Sequence, residues 1–194
     1  KIDYERGVIT LDGKEYEMLD INFPTIDPKH PYALSKDEEE IMSRLESAFL
    51  NCEKLQDHMR FLLNKGGLYK VYNGNLLYHG CVPLKEDGTL KSVRLYGRSY
   101  KGKSLYEVLE SYVRKGFYAL NKKEKERGKD MMWYIWLSEN SPLFGKDKMA
   151  TFERYFLAEK ETHKEKKNPY YNLLENEKVI NMILKEFGLT EESA

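Results

Sequence analysis

The chain has 194 residues, enough for one substantial domain with a real core or at most two small ones. Hydrophobic residues make up 41% and charged residues 33%, with equal numbers of cations and anions, so a global electrostatic attraction to nucleic acid or to an anionic membrane is excluded. No apolar run approaches the roughly 20 residues needed to span a bilayer, and the two cysteines, Cys52 and Cys81, set up neither a disulfide framework nor a paired metal motif; a reducing cytoplasm is the default expectation.

In chain order, Val8 to Met18 around Asp12-Gly13 predicts a β-hairpin, because the two central residues of a type I′ turn need positive φ. Pro24, Pro28 and Pro31 then hold an irregular stretch, so residues 2–33 form a hairpin and a proline-rich loop. Ser35 followed by Glu38 is a capping-box signature. Apolar residues at Ile41, Leu45, Ala48, Cys52, Leu55, Met59 and Leu62 continue one face, predicting a single long helix over 35–65 with that face buried, stopped by Gly66-Gly67. Residues 68–100 predict strands: a hairpin around Asn73-Gly74-Asn75 and a shorter one interrupted by Gly97.

The remainder, 104–194, reads as mainly helical. Ser104 to Glu107 is a second capping box, opening a helix with Leu105, Leu109, Tyr112 and Val113 inward. Residues 121–129 are charged and polar and are expected to be a mobile surface loop. Residues 131–137 are apolar and suit helix or strand equally; Trp133 and Trp136 are expected to pack in the core. A loop over 142–148, a short helix over 149–156 and a highly charged stretch over 160–167 follow. The last helix carries Val179, Ile180, Ile183 and Phe187 and stops at Gly188. His163, among lysines, is expected in solvent, and His30 and His58 carry no assigned role.

The chemistry centres on Leu76-Leu77-Tyr78-His79-Gly80-Cys81-Val82-Pro83. A buried apolar strand is expected to end in His79, with Gly80 relieving the turn and Pro83 preventing continuation. Side chains at strand ends are held rigidly at an open edge, where an imidazole can coordinate a divalent metal. By itself a strand-end histidine is more often a hydrogen-bonded structural residue, and no second ligand lies nearby by spacing. Lys146, Lys148 and Arg154 flank a glycine-containing loop. They could pair with phosphate oxygens or be solvated surface charges.

The run NGNLLYHGCVPL resembles the fourth signature of the calcineurin-like metallophosphoesterases, a strand ending in His-Gly-Gly before a proline, with Cys81 where the second glycine usually stands. The stretches DYERGVITLDGKEYEMLDINFPTIDP, NSPLFGKDKMATFERYF and ETHKEKKNPYY resemble class III (Firmicutes-type) fructose-1,6-bisphosphatases across nearly the whole chain. DMMWYIWLSENSPLFG is similar, more distantly, to the aspartate-leucine-tryptophan-serine stretch of Ser/Thr phosphatases. The resemblance implies a mixed α+β fold, part of a metallophosphoesterase sheet sandwich with helical insertions. It implies a sugar bisphosphate as substrate, a two-metal centre with manganese as the ion, and His79 as a metal ligand. The superfamily's Asp-x-His, Gly-Asp-x-x-Asp, Gly-Asn-His and late Gly-His motifs do not occur here. The expectation is therefore an internal fragment of a longer enzyme, catalytically inactive alone. A rival expectation, from the heptad-like face of residues 35–65, is a non-catalytic assembly or regulatory module.

Overall fold

In the computed structural model, which describes residues 1–190, the chain is mixed α and β, and it divides into two compact units. The first comprises Lys1–Asn64 and Ala150–Lys164, and the second Lys65–Met149 with the segment from Glu165 onward. Strands form a three-stranded antiparallel meander and two separate two-stranded hairpins. Among the described residues no sheet has more than three strands.

In the first unit, β1 (Ile2–Asp3), β2 (Val8–Leu11) and β3 (Lys14–Glu17) make the meander, with Leu11 opposite Lys14 across a two-residue turn. φ is 48° at Asp12 and 80° at Gly13, the type I′ geometry that the Asp-Gly pair selects. Ile9, Met18 and Leu157 form its small core, with α5 (Thr151–Phe156) beside it through the Leu19 N–H, which donates to the Phe156 carbonyl at 2.7 Å.

The expected long helix is two helices, α1 (Lys36–Leu50) and α2 (Glu53–Lys65). The capping box is present: the Ser35 N–H donates to Glu38 Oε2 at 2.7 Å, and Ser35 Oγ accepts from the Glu38 N–H at 3.3 Å. The break falls at Asn51, whose N–H closes on the Ser47 carbonyl while its side-chain amide donates to Ser47 Oγ at 3.0 Å. Past the break the Gln56 side-chain amide donates to the Phe49 carbonyl at 3.4 Å, satisfying one of the last carbonyls of α1 that helix continuation would otherwise have paired. The periodic face is not buried either. Ile41, Leu45, Ala48, Cys52 and Leu62 are exposed, and Leu63, one position over, is the buried residue of α2.

The second unit begins with the hairpin β4 (Tyr69–Tyr72) and β5 (Asn75–Tyr78), followed by β6 (Val93–Leu95) and β7 (Arg98–Tyr100). Its spine is α3 (Gly102–Tyr118). This helix starts two residues before the expected cap. Ser104 sits in its first turn, and the Ser104 hydroxyl accepts from the Lys101 N–H at 3.2 Å. α3 serves two cores at once. Tyr106 packs with Cys81, Val82, Leu84, Tyr170 and the apolar face of α6 (Glu177–Glu186), while Leu105 and Leu109 pack with Val93, Leu95, Met131 and Ile135.

Residues 121–129 are not a loop. They open α4 (Lys122–Leu137), where Asn121 Oδ1 accepts from the Glu124 N–H at 3.2 Å. Lys, Glu and Arg are strong helix formers, so a charged run between a cap and an apolar segment extends the helix. α4 lies against α3 at Gly116 and Gly128, and a Cβ on Gly128 would stand 2.2 Å from the Gly116 nitrogen. Its inner face is Gly128, Met131 and Ile135, a spacing of three and four. Trp133 and Trp136 fall outside that stripe and are 68% and 70% exposed, contrary to the core position expected for them.

The Gly116–Gly128 approach predicts that Gly128→Ala, a helix-favouring change elsewhere, destabilises the chain by about 1–3 kcal/mol through overpacking. Thermal unfolding followed by circular dichroism measures it. An unchanged midpoint would mean that the two helices do not meet at these glycines.

Candidate functional site

β5 alternates, with Asn75 and Leu77 exposed and Leu76 and Tyr78 half-buried, so it is a half-covered strand and not the fully buried one expected. Tyr78 turns inward, where its hydroxyl and that of Tyr170 lie 2.6 Å apart and burial drives its ionisation far up. The next side chain, His79, stands exposed. Strand alternation thus puts the imidazole in solvent and the phenol in the core.

Gly80 follows at φ 88°, and a Cβ there would lie 2.1 Å from the Pro142 carbonyl oxygen. Only glycine fits both conditions. Cys81 is then locked from both sides of its peptide. Its N–H donates to the Pro142 carbonyl at 2.8 Å, and its carbonyl accepts from the Tyr106 hydroxyl at 2.8 Å. Burial pushes the Cys81 thiol up to about 12, so it stays protonated at neutral pH.

His79 shares a cleft of about 460 Å³ with Ile135, Trp136, Leu143, Phe144, Lys146 and Met149. The structure therefore brings together two of the sequence candidates, His79 and Lys146. The Lys146 ammonium pairs with Glu165 Oε2 at 2.5 Å and lies 5.2 Å from the centre of the Phe144 ring. Lys148 is half-buried in the same unit, outside the cleft lining. Arg154 belongs to α5 in the first unit, where its Nη2 donates to the His163 carbonyl at 3.4 Å. Lys146 and Lys148 thus belong to the second unit and Arg154 to the first, since the chain changes unit between Met149 and Ala150. His163 is half-buried rather than solvated, with its Nε2 3.0 Å from the Leu157 carbonyl.

Two features escaped the sequence reading. Trp136 on the cleft wall was assigned to the core; its one signal was the three-and-four spacing of Gly128, Met131 and Ile135, which leaves it outside. The second is a charged cleft of about 520 Å³ that includes Lys85, Lys91, Lys146, Lys166 and Lys167 together with Glu86, Asp87, Glu139 and Asp147. There the Lys166 ammonium donates to Glu86 at 3.0 Å, which raises its pKa. The run of lysines before Asn168 signalled it. Lys146 lines both clefts.

Among the described residues no three His, Cys, Asp or Glu side chains stand close enough to hold a metal ion. His79 has aromatic and aliphatic neighbours and an ammonium in its cleft, not carboxylates. These residues do not fit a complete two-metal centre. Nor is any helix among the described residues long and apolar enough to cross a membrane.

A family model described as Firmicute fructose-1,6-bisphosphatase matches residues 1–194. Curated relatives named fructose-1,6-bisphosphatase class 3 include proteins of Listeria innocua, 52% identical over 98% of this chain, and of Clostridium novyi, 53% identical over 97% of it. One from Alkaliphilus metalliredigens is 52% identical over 97% of the chain. No solved structure matches. The chain belongs to the Firmicute fructose-1,6-bisphosphatase family. It spans 29% of the length of each of these relatives.

The packing of Cys81 predicts one fast thiol in the native chain. Cys52, exposed at the break between α1 and α2, should react with an aromatic disulfide reagent at once, and Cys81 only after denaturation. Two equally fast thiols would show that the turn after His79 is not locked into the core.

Proposed function

We propose that these residues are part of an enzyme that hydrolyses fructose 1,6-bisphosphate to fructose 6-phosphate and inorganic phosphate, in gluconeogenesis and in the cytoplasm. Water attacks phosphorus, the bond from phosphorus to the sugar oxygen breaks, and that oxygen takes up a proton. The observation that carries this reading is the family match over the whole chain, which contains the exposed His79 beside Lys146 in one cleft. His79 is proposed as one ligand of a divalent metal, manganese, whose other ligands lie outside these residues. Lys146 is proposed to pair with a phosphate oxygen: Glu165 occupies one of its three N–H donors, which leaves two. Lys148 and Arg154 remain weaker candidates for the same role. The two free cysteines agree with a reducing compartment.

Phosphate release by the full-length protein at saturating manganese tests this. Loss of an outer partner of a ligand typically costs about 10–100-fold, so His79→Ala should cost at least about 100-fold. The variant should keep its melting temperature, since the side chain is exposed. The 194-residue chain alone should release no phosphate. Near-normal turnover by His79→Ala, or metal-dependent turnover by the short chain, would overturn the assignment.

One observation favours a second reading, a non-catalytic assembly or regulatory module. Ile41, Leu45, Phe49, Phe61 and Leu62 of α1 and α2 are exposed. On this reading amides of residues 36–65 exchange quickly in the isolated chain and become protected in the full-length protein. Equal exchange in both would remove the support.

A further inference from the structure

The packing of α4 does not account for Trp136. Its inner stripe is complete without it, and the indole stands 70% exposed on the wall of the His79 cleft. Leaving a large apolar ring in water forgoes the burial that would repay a tryptophan at this position. Three chemistries line that cleft: the exposed imidazole of His79, the ammonium of Lys146 held by Glu165, and the indole of Trp136, with Leu143 and Phe144 also on its wall. Small-molecule sites pair apolar and aromatic walls with a few polar anchors in about 300–1,000 Å³, and this cleft has about 460 Å³.

A phosphorylated sugar has matching parts. Its phosphate oxygens are acceptors for an ammonium, and its ring carries C–H groups that form an apolar face. We infer that Trp136 is a stacking platform for the sugar ring of the phosphorylated substrate, beside the Lys146 ammonium that takes a phosphate. Inorganic phosphate, which has no C–H face, does not use the platform. Trp136 thus sets preference for a sugar ester over bare phosphate, while Lys146 serves both. The inference rests on the sugar-bisphosphatase reading and adds the residue that recognises the sugar.

The test uses the full-length enzyme with Trp136→Ala, Trp136→Phe and Lys146→Met. Trp136→Ala should raise KM for fructose 1,6-bisphosphate about tenfold, with kcat moving far less, while Trp136→Phe restores most of the affinity. The inhibition constant of inorganic phosphate should be the same in Trp136→Ala as in the parent and weaker in Lys146→Met. Exposure of the indole means that both tryptophan variants fold, and circular dichroism checks this. An unmoved KM in Trp136→Ala overturns the inference, as does phosphate inhibition weakened in step with KM. Quenching of tryptophan fluorescence by fructose 1,6-bisphosphate, absent in Trp136→Ala, separates the two readings. Quenching without hydrolysis by the parent overturns the bisphosphatase reading and keeps the platform; hydrolysis without quenching does the reverse.

Discussion

The second unit depends on how the Cys81 peptide is held. Its N–H and carbonyl are both satisfied, by the Pro142 carbonyl and the Tyr106 hydroxyl, and the residue is fully buried. A buried peptide group left without a partner costs about 1–3 kcal/mol, so these two bonds fix the turn more firmly than their net gain suggests. One end of the clamp belongs to α3 and the other to the loop after α4. The exposed imidazole of His79 is two residues away, and its position is set by groups distant in sequence. Gly80 makes this possible, since a side chain there would stand on the Pro142 carbonyl.

The loop that receives the turn is itself braced. The Ser141 hydroxyl donates to the Ile135 carbonyl at 2.7 Å, which ties the loop to the last turns of α4. The Gly145 N–H donates to the Ser141 carbonyl, and the Asn168 N–H to the Gly145 carbonyl. Asn168 Oδ1 accepts from the N–H groups of Leu84 and Tyr170 at 3.1 and 3.0 Å. Lys146 therefore projects from a segment whose backbone is bonded on both sides. An ammonium on such a support loses less freedom when it binds an anion than one on a free surface loop.

Packing of α4 on α3 connects this scaffold to the chemistry. Two glycines let the helices approach closely, and the close approach sets which side of α4 turns outward. Met131 and Ile135 go in; Trp133 and Trp136 go out. The same rotation that fills the core with Leu105 and Leu109 places an indole at the cleft beside His79. Net charge is zero, yet five lysines line a neighbouring cleft, among them Lys166 held by Glu86 and Lys146 held by Glu165. Electrostatics here is a matter of arrangement rather than of total charge.

What the sequence determined by itself was what short-range bonds decide. The Asp12-Gly13 and Asn73-Gly74 turns, the Ser35–Glu38 capping box, the last helix ending before Gly188 and the glycine turn after His79 all depend on groups a few residues apart. The family resemblance was also legible, because long stretches of residues carry it. Tertiary structure decided the rest. The apolar period over residues 35–65 runs on through Asn51, but local capping ends the helix there, and no periodicity states whether another part of the chain covers the face. The charged run over 121–129 became helix through its cap at Asn121 and its contact with α3 at Gly128. Lys146 met His79 because their segments pack together within the second unit, whereas Arg154 belongs to the first. Which side chains share a cleft is a property of how remote segments pack, and burial, unlike a turn or a cap, has no local cause.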